Sequence, residues 1–150
     1  MNKLRTTLLT LETGLFMSTA ALADYEHSTP AVQGYDVVLY HTGKRPIRGN
    51  RHFASSHDGA TYLFANADNL KQFNKNPEKY VPAYNGYCAF GVSVGKKFVG
   101  DPEVFRIVGG KTYLNLDTGI HDEWLKDTNG RIKTADRKWP GNKDKSPASL

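Results

Sequence analysis

The sequence predicts an α+β fold, on three observations. Two pairs of strand-like runs are each joined by a turn that favours positive φ, at His57-Asp58-Gly59 and at Gly109-Gly110. Short helical segments with capping residues lie between and after them. Runs of strands followed by helices, with no internal repeat and no interdomain linker, point to one domain over residues 35–140. The expected architecture is a small antiparallel sheet packed with several short helices.

The elements follow in order. Residues 1–23 have the layout of a secretory signal peptide. Lys3 and Arg5 make a basic start, Leu8 to Ala20 is mostly apolar, and Ala21-Leu22-Ala23 is a small-residue cleavage pattern. Glu12 breaks the apolar run, which leaves an amphipathic first helix of the fold as the rival reading; the run is too short for a stable membrane span. Residues 24–34 are polar and read as a flexible leader. The run from Tyr35 to His41 is rich in β-branched and aromatic residues and reads as a strand. A hairpin follows around Gly59. Asn66 offers an N-cap to a helix over 67–76, with Leu70 and Phe73 on one face. Pro77 suits the first position of a further turn ending near Tyr80. Residues 88–95 fit either a buried strand or a short helix closed by Gly95, since periodicity does not separate the two over so few residues; the helix, with Cys88 near its start, is preferred. A second hairpin spans 104–116, and helices are expected near 119–127 and 130–138. The last ten residues, 141–150, read as a disordered tail.

Charge and cysteine content narrow the function. The chain carries a formal charge of +5. Removing residues 1–23 takes away Lys3, Arg5 and Glu12, a net +1, and leaves 127 residues at +4. That is one ordinary domain. The lysines are scattered rather than striped, which argues against nucleic acid as a partner. Lys79, Lys96 and Lys97 read as a solvated basic face. Export predicts a periplasmic or secreted protein that is not an integral membrane protein. In such a compartment the single cysteine, Cys88, has no internal partner. Its fates are burial, pairing with a second copy in a homodimer, or use of the sulfur.

The segment from Gly59 to Val92 resembles the YHS-domain family. The matching features are Gly59-x-x-Tyr62-x-Phe64, a helix with Phe73 in its middle, and Asn76-Pro77-Glu78-Lys79-Tyr80. Gly110 to Leu116, the Trp124 to Asp127 string and the segment from Ala135 to Pro140 are similar to the longer exported branch of that family. The resemblance implies a YHS-like fold and a link to heavy-metal or copper handling. The family's Phe-Cys-x-x-x-Cys motif, laid on Phe64, places its cysteines at Ala65 and Asn69, so both thiols are absent.

What remains is Cys88. Soft thiolates favour Cu(I) and zinc, and imidazole suits both metals. The expected metal ligands are Cys88, His57 at the hairpin turn and His52 on the preceding strand. His27, His41 and His121 are weaker candidates. A two-coordinate Cu(I) site asks for the fewest ligands. The first reading is therefore a module that binds or senses a soft metal ion, copper above zinc. A second is a structural or small-ligand binding module with Cys88 buried and inert. A third is a thiol enzyme, in which a helix N-terminus stabilises the Cys88 thiolate and a histidine acts as base. Tyr84, Tyr87, Phe90, Tyr113, Trp124 and Trp139 either line a pocket or form the core.

Overall fold

A computed structural model describes residues 29–150. The expected signal peptide, the first part of the leader and His27 lie outside the described residues. The α+β class holds. Strands β1 (Asn50–His57) and β2 (Ala60–Phe64) form one antiparallel pair, and β3 (Asp101–Val108) and β4 (Lys111–Asn115) form another. They are two separate two-stranded sheets rather than one. Helices α1 (Ala67–Lys75) and α2 (Pro77–Tyr80) follow the first pair, and α3 (Ala89–Ser93) precedes the second. Helices α4 (Thr118–Leu125) and α5 (Thr128–Asn142) come last. Among the described residues no helix is long and apolar enough to cross a membrane.

The structure corrects the absence of an internal repeat. Pro30-Ala-Val-Gln-Gly-Tyr-Asp36 and Pro82-Ala-Tyr-Asn-Gly-Tyr-Cys88 adopt the same backbone. In each, two non-glycine residues have left-handed φ, 52° and 51° at Val32 and Gln33 and 55° and 54° at Tyr84 and Asn85. A glycine of the same hand follows, Gly34 at 79° and Gly86 at 82°. Each turn then makes an isolated bridge, Tyr35 with Arg48 and Tyr87 with Val99. Gly49 N–H donates to Gly34 O at 2.8 Å, and Gly100 N–H donates to Gly86 O at 3.0 Å. Both glycines are needed for close approach. A Cβ at Gly100 would sit 2.6 Å from the Leu114 Cβ, and one at Gly49 would overlap the Leu63 backbone.

The hairpins match as well. Each has an irregularity early in its first strand, between Asn50 and Ala54 and between Asp101 and Phe105. Each turns on two positive-φ residues, Asp58-Gly59 and Gly109-Gly110. Each second strand carries Thr-Tyr-Leu, at 61–63 and at 112–114. A helix then opens on a side-chain cap, where Asn66 accepts from Asn69 N–H and Asp117 from Ile120 N–H, both at 2.8 Å. Two hydrophobic clusters follow the division. One gathers Val37, Val38, Phe64 and Phe73, and the other gathers Tyr84, Val92, Tyr113 and Trp124. Leu114, from the second repeat, packs in the first cluster.

Three other expectations change. Residues 35–41 are not a strand: after the Tyr35 bridge they turn into a short 3₁₀ segment, Leu39–His41. Val37 and Val38 are fully buried, so their β-branched character reports core packing rather than pairing. The cause of the turn is Asp36, whose side chain is fully buried. Its carboxylate accepts from Val38 N–H at 2.9 Å, Ala65 N–H at 2.8 Å and Asn69 Nδ2 at 2.7 Å. The leader packs from Ala31 onward against the first cluster, with Gly34 buried. The tail is placed too. Helix α5 runs through Pro140 to Asn142, and a 3₁₀ turn spans Pro147–Ser149. Proline lacks one N–H donor, but Lys143 N–H still bonds Trp139 O at 2.8 Å, so the helix continues.

Asp36→Ala would leave three buried donors without an acceptor. A loss of about 3 kcal/mol or more is expected, since bonds to charged groups are worth about 1.5–3 kcal/mol each. Urea unfolding measures it, and a loss below about 1 kcal/mol would contradict the role given to this carboxylate.

Candidate functional site

Cys88 is the N-cap of α3, as the helical reading expected, but it is only 1% exposed. It occupies the place in the second repeat that Asp36 holds in the first. Gly91 N–H donates to the sulfur at 3.4 Å. The thiol lies 3.7 Å from Asn115 Oδ1, which also accepts from Phe90 N–H at 3.3 Å. Burial pushes the thiol pKa up, while backbone N–H groups of Gly91, Leu116 and Phe90 pull it down. Leu116 and Phe90 are the counterparts of Ala65 and Val38, which bind Asp36. The net direction is upward, so the thiol stays protonated through neutral pH. That opposes both metal ligation and nucleophilic use, which need the thiolate.

The histidines do not gather round this sulfur. His57 ends β1 and its Nε2 lies 3.0 Å from Glu78 Oε1 at the start of α2 and 3.7 Å from Asp58 Oδ2. Its ring meets the Phe73 ring edge-on, centroids 6.1 Å apart. His52 is exposed in the irregular part of β1, where its N–H donates to Asn50 Oδ1. His41 Nε2 is 3.1 Å from Thr112 Oγ1, and burial lowers its pKa first, with Lys79 and Lys111 adding to that. His121 comes nearest to the Cys88 environment: its Nδ1 is 3.0 Å from Asn115 Nδ2, so Asn115 stands between thiol and imidazole. Burial lowers the His121 pKa as well. The expected set of Cys88, His57 and His52 is therefore not assembled. Among the described residues, the group whose ligand atoms all lie within 4.8 Å of one another is His57, Asp58 and Glu78.

The larger feature is a cavity of about 500 Å³ at the junction of the repeats. Both left-handed turns contribute to its wall, through Val32 and Gln33 and through Asn85 and Gly86, and they pack side by side there, with Val32 Cγ2 3.6 Å from where a Gly86 side chain would begin. Ala60, Tyr62 and Val81 supply apolar surface, and burial pushes the Tyr62 hydroxyl pKa up to about 12, so it stays a neutral donor. His57 and Asp58 also line the cavity, as do Lys97 and Lys143. Such a volume falls within the range of small-molecule pockets, roughly 300–1,000 Å³.

Lys97 overturns the solvated basic face expected of it, being only 7% exposed. Its ammonium donates to the carbonyls of Lys143 at 2.9 Å and Lys145 at 2.7 Å. It also lies 4.6 Å from the Tyr87 ring centroid and 5.7 Å from that of Trp139. The sequence held little signal for this, because the partners are remote in the chain. Of the six aromatics weighed for a pocket, Tyr84, Tyr113 and Trp124 are core, while Tyr87 lines the cavity.

No protein-family model, curated protein or solved structure matches this chain.

Native Cys88 is expected to resist iodoacetamide at pH 7–8 and to react at once in denaturant. Because its folded pKa is raised, labelling should accelerate only above the ordinary thiol value of about 8.5. By the same sign, stability declines there, where the unfolded chain ionises and the folded one does not. Prompt stoichiometric labelling at pH 7 would contradict the burial.

Proposed function

We propose that this chain is an exported, non-enzymatic binding module of the YHS type, which holds a small organic ligand in the cavity between its two repeats. The observation that carries the reading is the cavity's composition. An apolar wall stands beside a few polar groups from both repeats, which is how small-molecule sites are built. Cys88 is then a buried, inert partner of the α3 N-terminus. The nucleophile reading loses support from the raised thiol pKa and from the amide of Asn115 standing between the sulfur and His121.

The test uses the neutral fluorophore 1-aminoanthracene. Saturable fluorescence enhancement with one site per chain is expected. Ala60→Trp, which fills the cavity, should weaken binding at least tenfold. Val99→Trp, at an exposed position on the rim, serves where the first variant is unstable. Absence of binding, or binding unchanged in both folded variants, would overturn the reading.

A metal reading keeps one specific support, the grouping of His57, Asp58 and Glu78. One nitrogen and two carboxylates favour zinc over Cu(I), because soft copper prefers sulfur. Calorimetric titration with Zn²⁺ should then give one site, weakened at least fivefold by Glu78→Gln. Equal affinity in both proteins would remove this group as a metal site.

A further inference from the structure

A buried ammonium with no anion beside it is costly, because its hydration has been stripped without a compensating charge. Lys97 is in that position. Its two protein acceptors are neutral carbonyls, and its aromatic neighbours offer only a quadrupole. None of the ion pairs among the described residues includes it. A lysine ammonium has three donors, and two are used, leaving one with no acceptor among the described residues.

The rest of the cavity has a direction. Lys97 and Lys143 contribute positive charge, and Asp58, beside His57, contributes negative charge. Apolar surface from Val32, Ala60 and Val81 belongs to the same wall. The tail that Lys97 ties down, through the carbonyls of residues 143 and 145, keeps Lys143 at the cavity. The first repeat has no equivalent of this lysine: the residue matching Lys97, two before the bridging Arg48, is Pro46. The charge is therefore not part of the repeated scaffold.

We infer that the cavity selects small organic carboxylates with a flat apolar body, and that Lys97 is the residue that reads the carboxylate. The inference rests on the cavity reading above and names the ligand class for it. The carboxylate accepts the free N–H of Lys97, and the apolar body lies against the wall that the two left-handed turns share.

The experiment is displacement of 1-aminoanthracene from the full chain by naphthalene-2-carboxylate and by its neutral amide, naphthalene-2-carboxamide. In the unaltered protein the acid should compete at least tenfold better than the amide. In Lys97→Met the acid's advantage should fall to less than twofold, while the fluorophore still binds. Lys97→Arg keeps the charge and should keep a preference for the acid. Equal competition by acid and amide in the unaltered protein would overturn the inference while leaving the cavity reading intact. So would an acid preference that survives in Lys97→Met. Failure of 1-aminoanthracene to bind at all would remove the cavity reading, and this inference with it. If Lys97→Met does not fold, Lys97→Arg decides, because a lost acid preference there with the fluorophore still bound contradicts recognition by charge.

Discussion

The structure depends on one repeated constraint, the left-handed turn that opens each half. Two consecutive non-glycine residues in that region cost about 1–2 kcal/mol each, and one of them, Val32, is β-branched. Such a turn persists only where its surroundings hold it. Here the surroundings are a backbone bond from a distant glycine, an isolated bridge, and a buried acceptor at the end of the turn. The acceptor is a carboxylate in the first half and a thiol in the second. Asp36 takes three strong donors, whereas Cys88 takes weaker ones at longer distance and shares them with Asn115. That exchange gives the lone cysteine a packing role, as the buried acceptor of the second turn.

The same constraint builds the cavity. Holding the two turns rigid sets Val32 and Gln33 beside Asn85 and Gly86 in one shared wall. The positive charge at the cavity comes from Lys97, which stands where the first repeat has Pro46, and from Lys143 in the C-terminal segment. The repeated scaffold thus supplies shape, and the charge comes from positions at which the two repeats differ or that lie beyond them.

Much of the fold was legible in local chemistry. Both hairpins, the Asn66 cap, Pro77 at a helix start and the short helix after Cys88 follow from residues a few positions apart, and all are present. The errors came where long-range contacts decide. Val37 and Val38 look like strand residues because they are buried, and the turn is imposed by an Asp36 carboxylate reaching Ala65 and Asn69. The repeat was present in the sequence as Pro-Ala-x-x-Gly-Tyr and Thr-Tyr-Leu, each occurring twice. It was hidden because the helices between these strings share neither length nor composition. The candidate site was less legible. Cys88 and His57 attract notice as reactive types, yet the fold seats them apart. Lys97 looks like one more surface lysine, and only the return of α5 and the tail buries it.

The most direct measurement is a two-dimensional ¹H–¹⁵N NMR titration of the full chain with naphthalene-2-carboxylate. Saturable shifts of the backbone amides of Val32, Gln33, Gly86, Tyr87 and Gly100 together, with little change at Cys88 and Asn115, would place the ligand between the repeats. Shifts confined to one repeat, or centred on Cys88, would contradict that account.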